Sequence, residues 1–175
     1  MFLQKFKIPL IILAAGIVQG CVNDKEPQGA DLKVGDPLPQ FSVNLSDDSF
    51  VSTDELIGKV PVILFFNTSC PDCREILPEF QIFYEEMSDN PLFCIFAISR
   101  AQDSDSVKRY WTENNLTIPY SAQTSNNIYL LFASSIIPRI YIANQRGIIT
   151  DAFGDTDMPD ASILESAAHN ALINY

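Results

Sequence analysis

Two uninterrupted apolar runs mark the main predicted elements of the chain. Residues 60–66 and 93–98 are rich in β-branched and aromatic side chains and do not alternate with polar positions. Strands covered on both faces have this pattern, so both runs predict central strands of a sheet between other layers. Between them, apolar side chains recur at helical spacing over residues 73–87, which predicts an amphipathic helix that Pro78 is expected to kink.

The remaining segments predict a strand–helix–strand–helix order that ends in a hairpin and a helix. Residues 41–45 and 50–51, separated by a polar turn, predict a short N-terminal hairpin. The later predicted elements are helices at 103–114 and 126–132, strands at 139–143 and 148–153, and a closing helix at 160–173. This order corresponds to an α/β sandwich with a mixed central sheet.

The first twenty residues have the pattern of an export signal. Lys5 and Lys7 precede an apolar stretch at residues 8–18, which is too short to span a bilayer comfortably as a permanent helix. The stretch leads into small residues that end at Cys21, and this arrangement resembles a bacterial lipoprotein signal. An ordinary signal peptide that happens to precede a cysteine is the alternative.

The lipoprotein resemblance implies three segments. They are a signal peptide at residues 1–20, a polar tether at residues 21–33 and a folded domain at residues 34–175. Lipid attached to Cys21 would hold the protein at a membrane of the bacterial cell envelope. The domain is then expected outside the cytoplasm, periplasmic or at the surface, where cysteine pairs meet other disulfides.

Charge and histidine content exclude some functions. The 175 residues contain 22 acids against 11 Lys and Arg, which gives a formal net charge of −11. Binding of nucleic acid requires basic side chains that displace counterions from phosphates, so no nucleic-acid partner is expected. The single histidine, His169, excludes a histidine-rich metal site and is expected near the surface. Neither a metal nor another cofactor is predicted.

Cys70 and Cys73 are the candidate catalytic residues, placed where the first buried strand gives way to the helix. A helix N-terminus favours the reactive thiolate, and Pro71 suits the first helical position. Cys70 is expected to be the more exposed sulfur and to attack, while Cys73 resolves the mixed disulfide. Half of a zinc site, a static disulfide and a chance pair are the alternatives. Cys94, in the second buried run, is expected to be a core residue.

Two segments around these positions resemble the thioredoxin superfamily. The active-site segment, residues 62–78, reads VILFFNTSCPDCREILP, and its Pro78 matches the family's helix-kinking proline. Residues 136–142 read IIPRIYI and resemble the later signature of an isoleucine before a cis-proline. With the export signal and the hairpin, the chain resembles membrane-anchored TlpA-like thiol–disulfide oxidoreductases, which are AhpC/TSA-related, over residues 34–175.

The resemblance implies a structure and an activity. The fold would be a thioredoxin-like three-layer α/β sandwich with an N-terminal β-hairpin. Pro138 would be cis and pack against the cysteine pair, leaving the backbone of Ile137 to bind an extended substrate peptide. The activity would be exchange or reduction of disulfides in exported proteins, with electrons supplied by a membrane-borne or periplasmic donor.

Several positions depart from the family pattern. Ser69 replaces the usual Trp or Tyr before the first cysteine, and Leu64 replaces thioredoxin's buried acid. Some TlpA-like proteins carry a glutamate at the position of Ile76; here Glu75 is one step earlier, about 100° around the helix, and is expected to face solvent. Arg139, in place of a small residue, is expected to favour an acidic partner.

Asp72 lies between the two cysteines and adds a negative charge. This charge is expected to raise the thiolate pKa and to make the pair a better reductant. The sequence therefore predicts a reduction potential nearer to that of thioredoxin than to those of strong oxidants.

Two other functions fit parts of the pattern. A thiol peroxidase of peroxiredoxin type is related in fold, but Asn67 stands where such enzymes carry a hydroxyl. A copper-binding thioredoxin-fold module is the other alternative, since copper(I) accepts thiolates. Such modules resemble one another in having more widely spaced cysteines and a nearby histidine.

Overall fold

The computed structural model of this protein describes residues 31–173, which begin with the predicted hairpin. Its two strands pair antiparallel, and one turn of helix follows. At the start of that helix the carboxylate of Glu55 accepts hydrogen bonds from the N–H and the hydroxyl of Ser52, which satisfies a backbone donor that the helix leaves open. These elements are β1 (Ser42–Asn44), β2 (Phe50–Ser52) and α1 (Thr53–Leu56).

A mixed five-stranded sheet forms the centre of the domain. Its strands are β3 (Val60–Phe66), β4 (Phe93–Ser99), β5 (Tyr120–Ser121), β6 (Arg139–Ala143) and β7 (Ile149–Phe153). They lie in the order β5-β4-β3-β6-β7; β3, β4 and β5 are parallel, and β6 is antiparallel to both β3 and β7. The middle strand is β3, as its continuous apolar sequence predicts.

Three helices cover one face of this sheet. The side chains of β3 alternate between the two faces, and those of Val62 and Leu64 belong to the apolar cluster on the helical side. Each of the three helices contributes fully buried side chains to that cluster, among them Leu77, Val107 and Leu164. The helices are α2 (Pro71–Met87), which continues through Pro78, α3 (Ser104–Glu113) and α4 (Ala161–Ile173).

The opposite face of the sheet is covered by the hairpin, α1 and a short 3₁₀ turn. Ile63 and Phe65 of β3 belong to this second cluster. The ring of Phe65 lies 4.8 Å, centroid to centroid, from the ring of Phe132. Helices, sheet and hairpin together make the three-layer, thioredoxin-like α/β sandwich, which confirms the predicted fold class.

One helix begins where the cysteine motif predicts it, and another is shorter than predicted. Helix α2 begins at Pro71, the residue expected at its first position. The helix predicted at residues 126–132 is only a 3₁₀ turn, Tyr129–Leu131. Tyr129 is buried there, and its hydroxyl donates a 2.6 Å hydrogen bond to the carbonyl of Ile136. Tertiary contacts rather than helical periodicity therefore shape this segment.

A carboxylate fastens the beginning of the described chain to the domain. Oδ1 of Asp31 accepts hydrogen bonds from the N–H and the hydroxyl of Ser134, at 2.8 and 3.0 Å. Oδ2 accepts one from Nη2 of Arg139 at 2.8 Å, and the N–H of Leu32 donates to the carbonyl of Phe132. Asp31 and Leu32 were expected in the tether, so contact with the domain begins earlier than the predicted boundary.

The N-terminal predictions fall largely outside the described residues. The signal peptide at residues 1–20, the lipid site Cys21 and the tether up to residue 30 are among them. Between residues 31 and 173, no helix is long and apolar enough to cross a membrane.

We expect Asp31→Asn to lower the free energy of unfolding by about 1 kcal/mol at pH 7, a value that allows for solvent screening of a partly exposed ion pair. Hydrogen bonds from Ser134, with the charge of Arg139, lower the pKa of Asp31 below 3.8. The contribution of Asp31 to the free energy of unfolding is therefore complete above pH 3.8. It disappears as the pH falls through the lower pKa of the folded state.

Urea unfolding of the full chain at neutral and strongly acidic pH measures this difference. Asp89→Asn is the matched control, because Asp89 is an exposed carboxylate in the loop after α2. Equal free energies of unfolding for Asp31→Asn and the unmodified chain at pH 7 would show that the contacts of Asp31 with Ser134 and Arg139 do not stabilise the domain.

Candidate active site

The cysteine pair follows the carboxyl end of β3, the central strand of the sheet. A three-residue loop follows the strand, and Cys70 is the N-cap residue immediately before α2. Cys73 comes one helical turn later and is buried, whereas Cys70 is partly exposed. Both are free thiols in this structure. The two sulfurs thus have the unequal exposure that the sequence predicts.

Side-chain hydrogen bonds hold the loop in front of the first cysteine. Oδ1 of Asn67 accepts from the N–H and the hydroxyl of Ser69, at 2.9 and 2.6 Å, and its Nδ2 donates to the carbonyl of Arg100 at 3.0 Å. The side-chain amide of Gln102 bonds both the N–H and the hydroxyl of Thr68. The loop is therefore tied to the segment that follows β4.

Apolar packing controls the protonation of Cys73. This residue has an exposed fraction of 0 % and belongs to the same core cluster as Leu64. Burial raises the pKa of the Cys73 thiol well above its ordinary value. A hydrogen bond from the backbone of Asn67 to the sulfur opposes this increase in pKa, while Cys70 and the charge of Asp72 add to it.

Asp72 is not the main cause of the raised pKa of Cys73, although its position between the cysteines suggests that it is. Asp72 is exposed on the first turn of α2, and its charge does raise the pKa of Cys73. Desolvation of the buried sulfur is, however, the larger cause. Charges at the solvent edge are screened, whereas a buried sulfur has no water to stabilise its thiolate.

The positions at which resembling proteins carry an acid near the second cysteine are apolar here. Leu64 and Ile76 are both buried, and Glu75 is exposed on α2, as expected from its angle around the helix. The described part of the chain therefore places no carboxylate at either position.

The loop before β6 lies against Cys70. Its Ile137–Pro138 peptide bond is cis, as the resemblance implies, and Pro138 is buried. The Cys70 thiol donates a hydrogen bond to the carbonyl of Ile137, with 3.6 Å between sulfur and oxygen. Ile136 has a φ of 40°, unusual for a β-branched residue, and its carbonyl is the one that accepts from Tyr129.

A groove of about 380 Å³ opens beside Cys70. It brings together the loop after β3, the segment after β4 and the loop before β6. One cationic side chain, Arg100, lies on its wall, and the sequence analysis did not single this residue out. The available signal was its position directly after the second buried run, since the carboxyl ends of parallel strands meet at one edge. The groove is lined by Asn67, Ser69, Cys70, Arg100, Ala101, Asn126 and Ile137.

Arg139 does not serve the partner-binding role expected from the sequence. Its guanidinium pairs with Asp31 at 2.8 Å, and its side chain is only 20 % exposed. The ion pair neutralises this charge inside the domain, so the expectation that Arg139 favours an acidic partner is wrong.

Cys94 and His169 lie away from the groove. Cys94 pairs in register with Pro61, near the start of β3, and burial raises the pKa of its thiol. It packs against the cluster on the hairpin side, which agrees with its expected role in the core. His169 is half-exposed on α4, and its Nε2 lies 3.8 Å from a carboxylate oxygen of Glu165.

Comparisons with known proteins agree with this geometry. The model of the AhpC/TSA family matches residues 34–152. The thiol-disulfide oxidoreductase ResA of Oceanobacillus iheyensis is 26 % identical over 146 residues, which cover 81 % of this chain and 76 % of that protein. The sporulation thiol-disulfide oxidoreductase A of Bacillus subtilis is 27 % identical over 53 % of this chain and 57 % of its own length.

Solved structures share the fold. The crystal structure of a thiol:disulfide interchange protein of the thioredoxin family from Chlorobium tepidum has a TM-score of 0.67 at 20 % identity and covers 81 % of this chain and 99 % of its own. StoA from Bacillus subtilis has a TM-score of 0.65 at 20 % identity and covers 74 % of this chain and 96 % of its own. With the family model spanning most of the domain, the chain belongs to the AhpC/TSA family and is a thiol–disulfide oxidoreductase of the thioredoxin-like fold.

Proposed function

We propose that this protein is exported, lipid-anchored and exchanges or reduces disulfides in other exported proteins through Cys70 and Cys73. The observation that carries the proposal is the unequal placement of the two thiols. Cys70 opens onto the groove beside the cis-proline loop, and Cys73 is buried beneath it. An attacking sulfur must reach a partner, whereas a resolving sulfur needs to reach only its neighbour.

The proposed exchange proceeds in two steps. The Cys70 thiolate attacks one sulfur of a partner disulfide, that S–S bond breaks, and the departing partner sulfur takes a proton from solvent. Cys73 then loses its proton and attacks the Cys70 sulfur of the mixed disulfide, which releases the second partner sulfur as a thiol. Two electrons have moved to the partner, and a Cys70–Cys73 disulfide remains. A membrane-borne or periplasmic donor returns two electrons and two protons.

The backbone of Ile137 is proposed to bind the partner peptide, with Pro138 shaping the loop. In the reduced state the Ile137 carbonyl accepts the hydrogen bond of the Cys70 thiol. Ionisation of that thiol removes the donor, so the carbonyl becomes free to accept an N–H from an extended peptide. Activation of the nucleophile and opening of the peptide site are thereby the same event.

The buried thiol gives no extra stability to the reduced pair. Strong oxidants of this fold owe their potential to a stabilised reduced form, in which a thiolate is favoured. Burial keeps Cys73 a neutral thiol and supplies no such stabilisation. We propose a pair that donates electrons to partner disulfides.

The alternatives from the sequence gain less support. A peroxidase hydroxyl is replaced by Asn67, whose amide is already bonded to Ser69 and Arg100. Copper-binding modules of this fold resemble one another in having a histidine near the cysteines, and the single histidine of this chain, His169, lies on α4 away from the groove. Over residues 31–173, no three His, Cys, Asp or Glu side chains are grouped in a way that could hold a metal ion.

Substitution of either cysteine separates the two steps. Cys73→Ser is expected to accumulate a mixed disulfide with glutathione, because the resolving sulfur is lost. Cys70→Ser is expected to form none and to slow disulfide reduction at least about 100-fold, because the accessible nucleophile is gone. Intact-mass spectrometry of the full chain mixed with glutathione disulfide measures both. Cys94→Ser is the matched control and should behave as the unmodified chain. Mixed disulfide on Cys73 in the Cys70→Ser variant would reverse the proposed roles.

Replacement of the proposed lipid site tests the anchor. Expressed in a bacterial host, the unmodified chain should incorporate labelled fatty acid and sediment with membranes. Cys21→Ala should incorporate no labelled fatty acid. If the signal is still processed, the variant should shift to the soluble fraction, because acyl chains supply the membrane affinity. If the signal is not processed, the variant should remain as the precursor. Cys94→Ser again serves as the control. Fatty-acid labelling that survives Cys21→Ala, or its absence from the unmodified chain, would rule out lipidation at this residue.

A further inference from the structure

Arg100 is held firmly on the wall of the active-site groove. Its N–H donates to the carbonyl of Phe66 at 2.7 Å, and its own carbonyl accepts from Nδ2 of Asn67 at 3.0 Å. The guanidinium carbon lies 4.5 Å from the centroid of the Tyr129 ring. Backbone bonds and a cation–π contact thus fix this cation beside Cys70.

The charge of Arg100 has no carboxylate partner in the described chain. Among residues 31–173, the ion pairs are those of Arg139 with Asp31 and of His169 with Glu165. Most other basic side chains of residues 31–173 also have no ion pair, but Arg100 is the one that lines the groove beside Cys70. An arginine in such a position is well suited to bind a carboxylate from another molecule through two parallel hydrogen bonds.

Other polar groups line the groove together with Arg100. They include the thiol of Cys70 and the residue Ile137, whose carbonyl is proposed to bind the partner backbone. The groove thus combines a sulfur, a backbone carbonyl and one cation.

We infer that Arg100 selects partner disulfides whose cysteine has an Asp or Glu close by in an extended segment. The inference rests on the proposed function and names the class of substrate. Arg100 and Cys70 line the same groove, so the acid lies close to the attacked cysteine in the extended segment. Asp72 is exposed at the start of α2 and is not among the groove-lining residues. The carboxylate therefore lies on the Arg100 side of Cys70.

Arg100 takes no part in the covalent step. The Cys70 thiolate still attacks a partner sulfur and the partner S–S bond still breaks as described above. The salt bridge orients the partner before that attack and shortens the time needed to find a productive arrangement. Because the whole chain is acidic, it repels an acidic partner at long range, so the attraction operates at contact.

A pair of matched peptides tests this inference. The full chain is reduced, freed of reductant and mixed in a stopped-flow instrument with a short peptide disulfide that carries Glu next to each cysteine, or with the same peptide carrying Gln. Arg100→Gln should lower the second-order rate constant for the Glu peptide about 10-fold and that for the Gln peptide less than 2-fold. Arg100→Lys should retain part of the preference, since it keeps the charge without the planar fork.

Arg146→Gln is the charge-matched control. Arg146 is exposed in the turn after β6, and the register of β6 against β3 places that turn at the edge opposite Cys70. It should leave both rate constants unchanged. The preference for Glu should also shrink as salt is added.

The outcomes separate this inference from the function on which it rests. Reaction of both peptides without a Glu preference, or an equal loss for both in Arg100→Gln, overturns the role of Arg100 and leaves disulfide exchange intact. Failure of the reduced unmodified chain to react with either peptide overturns the proposed function itself. The Gln-peptide rate also reports whether each variant is folded.

Discussion

The packing of β3 between two apolar layers determines where the chemistry of this protein lies. Every side chain of the strand is buried, so helices must cover one face and the hairpin with the 3₁₀ turn the other. The strand ends at Phe66, and three loop residues separate it from Cys70. The end of the central strand therefore places Cys70 at the surface. The next helical turn places Cys73 in the core.

The same packing gives the two sulfurs different chemistry. Leu64, next but one to the end of β3, shares the core cluster with Cys73. Burial there disfavours the thiolate, and the two positions at which resembling proteins carry an acid are the apolar residues Leu64 and Ile76. Cys70, one turn earlier, meets the carbonyl of Ile137 and the groove. A single turn of helix thus separates a sulfur that meets partners from one that is protected from them.

Local patterns in the sequence predicted the elements that depend on local physics. Continuous apolar runs located β3 and β4, helical spacing located α2, and the motif resemblance implied the cis bond before Pro138. Contacts between distant segments were not predictable in this way. The Asp31–Arg139 pair joins residues 108 positions apart. It shows that Arg139 binds an acid of its own domain and not one of a partner. Arg100 has no motif of its own, and only the meeting of strand ends brings it beside Cys70.

The central claim is that the Cys70–Cys73 pair donates electrons, since the buried Cys73 sulfur gives the reduced form no stabilised thiolate. The most direct test is the two-electron reduction potential of the full chain, equilibrated in glutathione and dithiothreitol buffers, with Cys70→Ser as the inactive control. We predict a midpoint near that of thioredoxin, about −270 mV. A midpoint near that of a strong disulfide donor, about −120 mV, would contradict the account.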